Sequence, residues 1–444
     1  MVSKVLSKRG YVVKKKDLTK SEILQIKRGL TVTPQVINIY SFTKPESYEI
    51  YRENNKKVYM PRFFGIDNFG EPDVDKLNKN IEERDDMVFN GQLRDYQKNI
   101  TDIMYKGIKK DGGGILTAGC GRGKTVMAIY LACKFKMKTL VIVHTGFLIT
   151  QWKQTIQKFT NCTIGTIRQK KFDVNHPFTI GMLQSISKKD YDKKEMEKFD
   201  LVIFDEVHHV SARTFSKSLF KAMGKYMLGL PATPKRKDGL SKVFHWYIGK
   251  ILYKDEVERK DTVIINTIEY DYPTMREYKT MKGFRDSSRM NKKNSEIFDR
   301  NQMIVNEIIK KIRLDDKERY ILVVSRFVNH LKLLKDMTDD LQICTTGLYI
   351  GGMKEWMLEE SKTKDVMFAT YNMVAEAFDN KRLNTLVMVT SLSNSNDIEQ
   401  CVGRVRREMN PVKPRIIYDI IDDNLKYQYK NREKVYKKQN FIIN

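Results

Sequence analysis

Between residues 91 and about 250, apolar runs at 114–117, 139–144, 179–182, 201–204 and 227–230 alternate with polar stretches of helical character. Runs this short and this uniformly apolar predict strands covered on both faces, and strands separated by helices predict a parallel sheet wrapped by them. The alternation returns at 320–324, 343–346, 366–369, 386–389 and 416–418, so one α/β domain type is expected twice in tandem. Residues 1–90 read differently: segments 32–40 and 57–65 are short, mixed and set between Pro, Gly and Asn, which predicts a small strand-bearing module. The polar run 82–86 closes it. The expected division is an accessory module at 1–90, read as recognising duplex or junction DNA with a packing appendage on the first lobe as the plainer alternative, a first lobe at 91–255 and a second at 256–444, with the Lys-, Arg-, Met- and Ser-rich stretch 276–294 read as mobile.

The chemistry sits at the ends of these strands. Residues 118–125 read AGCGRGKT, directly after the apolar run 114–117 and before a helical pattern from Val126. Strand, glycine-rich turn and helix in that order make a phosphate cradle: Gly119, Gly121 and Gly123 leave backbone N–H groups free to converge, Lys124 adds a mobile cation, and the Thr125 hydroxyl suits Mg²⁺. A glycine-rich loop that only tolerates a tight turn is the plainer alternative. Residues 200–210, DLVIFDEVHHV, then deliver Asp205 and Glu206 from the end of a buried strand. Asp205 can hold Mg²⁺, and Glu206 can orient and deprotonate the water that attacks a γ-phosphate. His208 and His209 invite a zinc reading, but six His and five Cys without metal-ligand spacing give it no support.

Far downstream, residues 400–407 read QCVGRVRR. Arg404 and Arg407 are three apart, hence on one helical face, while Arg406 points to another side and is expected to matter less. A guanidinium pair following Gln400 can answer the charge that develops on a γ-phosphate and make hydrolysis depend on domain closure; a solvated basic helix is the bland alternative.

Composition adds a polyanionic partner. Lys plus Arg number 81 against 55 Asp plus Glu, a formal charge of +26, with lysines spread along the whole chain. The sequence has no apolar run of about 18 residues and no leader-like apolar stretch at its start, so membrane spanning and secretion are not expected. Five unpatterned cysteines fit a reducing compartment.

Taken together, these motifs resemble the superfamily 2 helicases, in the branch that includes the excision-repair helicase XPB, the phage UvsW protein and related enzymes of large DNA viruses. The resemblance runs over about residues 90–430. Residues 93–97, LRDYQ, look like the adenine-side motif, with Gln97 reading the base edge and Arg94 nearby. The segment 143–152, VHTGFLITQW, resembles the motif that touches a nucleic-acid backbone through Thr145. Residues 230–234, LPATP, resemble the motif that couples hydrolysis to strand movement through Ala232 and Thr233, and His208 is carried over as a further coupling residue. In the second lobe the resemblance assigns Ser325, Arg326 and Thr370 to the strand backbone, and Glu376 and Asp379 to the ribose side.

It implies two RecA-like lobes, ATP with Mg²⁺, and nucleic acid, foremost DNA, held through its backbone. An ATP-dependent DNA helicase or duplex translocase is the leading function. An RNA-directed helicase and a DNA-stimulated ATPase subunit without unwinding activity are the alternatives. A recruiting transcription or repair complex and a monomeric state are both compatible, in a host cytoplasm, viral factory or virion for a viral chain, or otherwise a nucleus or nucleoid. Trp152 and Trp246 are candidates for base stacking, with a core position the favoured reading for Trp152.

Overall fold

The apolar run 201–205 becomes the strand Leu201–Asp205, all five residues buried, because neighbours on both edges and helices on both faces leave no solvent-facing side. In the computed structural model its companions follow in the order Lys171–Asp173, Ile164–Arg168, Phe178–Met182, Thr139–Val143, Leu201–Asp205, Tyr226–Leu230, Gly113–Thr117, Ile251–Lys254. Every pairing is parallel except that of Lys171–Asp173. The structure describes residues 3–34, 46–77, 83–119, 122–205, 212–231, 239–254, 262–273, 275–281, 283–377, 380–406 and 413–444. The chain divides into two compact units, Met1–Glu256 and Val257–Asn444, each an α/β lobe.

The first unit also contains the N-terminal module, a sheet in the order Arg52–Glu53, Lys57–Met60, Gly10–Lys14, Lys4–Ser7, Val74–Asp75. Its apolar face and that of the lobe form one continuous core, in which Tyr11, Val58 and Met60 belong with Leu219, Phe220 and Tyr247. The seam is also pinned by polar contacts. Buried Arg62 donates to the carbonyls of Gly112 at 3.1 Å and Lys225 at 2.8 Å, and Lys8 pairs with Asp200 at 2.8 Å. Phe64 meets Trp246 edge-on at 5.2 Å. In the basic-aromatic stretch 56–64, Arg62 and Phe64 are thus turned inward while Lys56 and Lys57 stay exposed, and Trp246 packs on this seam.

The second unit is a parallel sheet in the order Thr346–Tyr349, Val366–Thr370, Ile321–Ser325, Thr385–Met388, Arg415–Asp422, Val263–Tyr270, Ile442–Ile443. The strand expected from 343 begins at Thr346. Nor is the stretch 276–294 wholly mobile: Ser287–Ser295 is a helix with Met290, Asn291 and Asn294 buried. Asn294 donates to Asn424 at 2.8 Å, and Asn291 accepts the Ser391 N–H at 2.7 Å. Polar composition there reflects buried hydrogen bonding, which composition alone cannot distinguish from solvation.

Two ion pairs are sunk in this unit. Arg300 grips Asp422 with two donors at 2.6 and 3.1 Å and also donates to the Val389 carbonyl; Arg432 pairs with Asp419 at 2.8 Å, which also accepts from Tyr436. Arg300 is 0% exposed. Arg300→Ala leaves the Asp422 charge buried without its partner and is expected to cost about 3–5 kcal/mol in urea unfolding, whereas the joint change Arg300→Met with Asp422→Leu recovers most of it.

Candidate nucleotide site and nucleic-acid face

Parallel strands bring their C-terminal ends to one edge of a sheet, and in the first unit that edge collects the motifs. Thr117 leads into the glycine-rich loop, Val143 towards Thr145, the central strand ends at Asp205, and Leu230 leads to Pro231, just before the expected coupling residues.

The loop's last glycine is structurally required. Gly123 caps the helix Lys124–Phe135 with φ +77°, and a Cβ there would lie 2.4 Å from Gln97 Nε2. Lys124 is buried, and its ammonium donates to the carbonyls of Ala118 at 2.9 Å and Pro231 at 3.4 Å. The cation rests on its own loop and on the residue just before Ala232. An arriving phosphate would compete for this ammonium with the carbonyls of Ala118 and Pro231.

Gln97, expected at the adenine edge, is buried on the helix Asp95–Asp111. Its amide donates to the Arg122 carbonyl at 3.2 Å and accepts the Arg94 N–H at 3.0 Å. Tyr96 donates to the same carbonyl, and the Arg122 guanidinium lies over the Tyr96 ring at 4.1 Å. The LRDYQ segment therefore braces the phosphate loop, a contact that adjacency in sequence could not reveal. Arg94 itself is exposed.

Asp205 is 5% exposed and accepts a hydrogen bond from the Trp152 indole N–H at 2.7 Å. Trp152 is fully buried, as the core reading expects; the amphipathic turn that carries it gives no hint of its partner. Thr125 is half-buried on the second residue of the loop helix. A hydroxyl and a carboxylate are the hard oxygen donors that Mg²⁺ prefers, so this pair fits the ion by donor type.

The expected strand contacts are placed as follows. Thr145 caps the helix Gly146–Phe159, its hydroxyl accepting from the Leu148 N–H at 3.4 Å. Ser325 and Thr370 are register partners at the C-terminal edge of the second sheet. Ser325, however, is 0% exposed: its hydroxyl meets His330 Nδ1 at 3.1 Å and accepts from the Phe327 N–H. Its side chain faces the lobe interior, which leaves exposed Arg326 and half-buried Thr370 at the surface. Arg326 is braced by its Nε on the Ser391 carbonyl at 3.1 Å. His330 lies in this interior, where burial and then the charge of Arg300 push its imidazole down to about 3, so it is neutral.

On the helix Ser395–Val405, Gln400 and Arg404 are buried, and Arg404 Nε donates to the Val374 carbonyl at 2.7 Å. Arg406, on another side of this segment and expected to matter less, is also packed. It is 6% exposed and lies 5.0 Å over the Phe441 ring. Gly119 is exposed at the start of the loop, and Glu376 lies on the helix Tyr371–Ala377. Gly121, Glu206, His208, Ala232, Thr233, Asp379 and Arg407 fall outside the described residues, as does the side chain of Glu376.

Comparison with known proteins agrees with this architecture. The family model of the type III restriction enzyme res subunit matches residues 90–236. The chain is 35% identical over 456 residues to the putative ATP-dependent RNA helicase L396 of Acanthamoeba polyphaga mimivirus, an alignment covering 99% of this chain and 86% of that protein. It is 27% identical to the putative helicase 161L of Invertebrate iridescent virus 6, over 92% of this chain and 94% of the relative. Among solved structures, the ATP-dependent type ISP restriction-modification enzyme LlaBIII bound to DNA aligns over 78% of this chain and 30% of its own, with TM-score 0.52 and 14% identity, a likeness of fold. With a phosphate loop and an acidic strand end on one sheet edge, a second lobe of the same type, and a 35%-identical relative along almost its whole length, the chain belongs to the superfamily 2 helicases, nucleic-acid-acting nucleoside triphosphatases, and is related to those of large viruses.

Proposed function

We propose that this enzyme is an ATP-dependent DNA helicase or duplex translocase whose three working parts are the Lys124 loop, the Asp205–Glu206 pair and the Arg404–Arg407 pair. The observation that carries the reading is the Lys124 ammonium, held between the phosphate loop and Pro231, next to the segment expected to couple hydrolysis to movement. Lys124 and the loop amides bind the phosphates, Glu206 orients and deprotonates the attacking water, and Arg404 with Arg407 answers the charge on the departing phosphoryl group. Thr125 and Asp205 would hold Mg²⁺, which when bound offsets phosphate charge. Arg94 and Gln97 form the base side, and Glu376 and Asp379 the ribose side. Thr145, Arg326 and Thr370 grip the strand through its backbone, so binding is nearly independent of sequence.

The DNA-bound state of LlaBIII favours DNA as the polymer; the printed description of the mimiviral relative as an RNA helicase favours the second reading, an RNA-directed motor. ATPase rates with single-stranded, duplex and branched DNA and with RNA discriminate them. Stimulation by DNA well above that by RNA is expected, and the reverse order replaces this reading with the second.

The N-terminal module is proposed to help recognise duplex or junction DNA at its seam with the lobe. A cavity of about 530 Å³ opens there, lined by six cationic and three acidic residues, with Arg52 stacked 4.5 Å over Phe220. Because the module shares its core with the lobe, point changes test it better than deletion. Replacing Arg9 and Arg52 by Glu should lower stimulation by branched and duplex DNA several-fold more than by single strands. It should also flatten the salt dependence by about one unit of slope for each phosphate that is no longer neutralised. Equal loss on every polymer would leave the module as a packing element alone.

A further inference from the structure

Among the described residues Trp152 heads the large side chains that are fully buried, and its N–H reaches a carboxylate rather than a backbone carbonyl. The acceptor, Asp205, is itself 5% exposed, and the contact is 2.7 Å long, so it is a short hydrogen bond to an acid inside the protein. Packing alone does not need this arrangement. An apolar interior is satisfied by a purely apolar ring such as phenylalanine, at the cost of some volume, whereas an indole adds one donor and no acceptor. That donor meets the acidic side chain that ends the central strand.

We infer that Trp152 is a positioning residue for Asp205, fixing the orientation of its carboxylate and thereby setting how strongly the site favours a nucleotide that carries a divalent cation. The inference rests on the proposed role of Asp205 toward Mg²⁺. A carboxylate with several accessible rotamers must be ordered when the ion arrives, while one already held by a buried donor is not; removal of such outer partners typically weakens metal affinity by about 10- to 100-fold. The geometry also gives the helix Gly146–Phe159 two positions of interest. Its cap is Thr145, expected at the nucleic-acid backbone, and Trp152 lies seven residues on, two turns along the same face. A displacement of this helix by a bound strand therefore reaches the carboxylate through one hydrogen bond.

The test compares the affinity for a fluorescent ADP analogue with Mg²⁺ and with EDTA in the full chain, for wild type, Trp152→Phe and Asp205→Asn, with thermal melting alongside. Trp152→Phe is expected to weaken binding about tenfold with Mg²⁺ and to leave binding in EDTA unchanged. Asp205→Asn should remove most of the advantage that Mg²⁺ confers. If Asp205→Asn removes that advantage while Trp152→Phe matches wild type, the positioning role is wrong. If Trp152→Phe weakens binding equally with and without Mg²⁺, Trp152 is a packing residue and the inference fails. Retention of the advantage by Asp205→Asn would instead remove the metal role of Asp205 on which the inference stands. Should Trp152→Phe not fold, benzothienylalanine at position 152 keeps the bicyclic shape, replaces N–H by sulfur and decides the same question.

Discussion

Lys124→Ala and Glu206→Gln each reduce turnover by at least about 10²–10³, by two routes that binding measurements separate. Lys124 is a buried cation beside the loop, and the carbonyls of Ala118 and Pro231 to which it donates keep their backbone positions in the alanine variant. What alanine removes is charge neutralisation, which acts on bound ATP and more strongly on the transition state, so affinity and turnover both fall. Glu206→Gln keeps the shape and hydrogen-bonding reach of the side chain but takes away the carboxylate proposed to accept the water's proton, so this variant should bind ATP near normally and fail to hydrolyse it. Nucleic-acid affinity without nucleotide should be almost unchanged in both, because neither residue is expected at the strand. Steady-state ATPase with direct nucleotide titration checks each part, and near-normal turnover by Glu206→Gln removes it as the base.

The contrast between these residues and Trp152 shows what the sequence discloses. Apolar runs at 114–117, 139–144, 179–182, 201–204 and 227–230 foretell the strands around the site because a strand buried on both faces has no polar alternation to confuse it. The phosphate loop is equally legible, since its function demands particular residues at adjacent positions. Contacts across the fold are not local in that sense. Trp152 and Asp205 are 53 residues apart, Arg62 and Lys225 are 163, and neither pair leaves a spacing signature. The strand Val263–Tyr270 is hidden for a related reason: its run VIINTIEY breaks its apolar pattern with Asn266, Thr267 and Glu269, and its neighbours in the sheet, Arg415–Asp422 and Ile442–Ile443, lie far along the chain. Ser325 illustrates the converse. A residue assigned by motif to the strand backbone is enclosed beside His330, and only the packing of the second unit discloses that.

Arg404→Ala and Arg407→Ala should each lower turnover by about 10³ while leaving ATP bound, and a second measurement separates the two. Arg404 is 7% exposed and holds the Val374 carbonyl on the helix Tyr371–Ala377, so its loss leaves that acceptor without this donor and should also lower the melting temperature by several degrees. A catalytic deficit in Arg404→Ala must therefore be read per folded molecule. The conservative Arg404→Lys keeps a cation but cannot reproduce the fork of a guanidinium, so it should recover stability more than turnover. Arg406 is a poor silent control, because it is packed over Phe441 and should destabilise when truncated; exposed Lys434 on the helix Lys426–Lys438 is the sounder one and should change neither quantity. The decisive comparison sets turnover per folded molecule against ATP affinity for Arg404→Ala, Arg407→Ala and Lys434→Ala. If both arginine variants melt early yet hydrolyse ATP at the wild-type rate per folded molecule, the two guanidinium groups are structural and the charge on the departing phosphoryl group must be answered elsewhere.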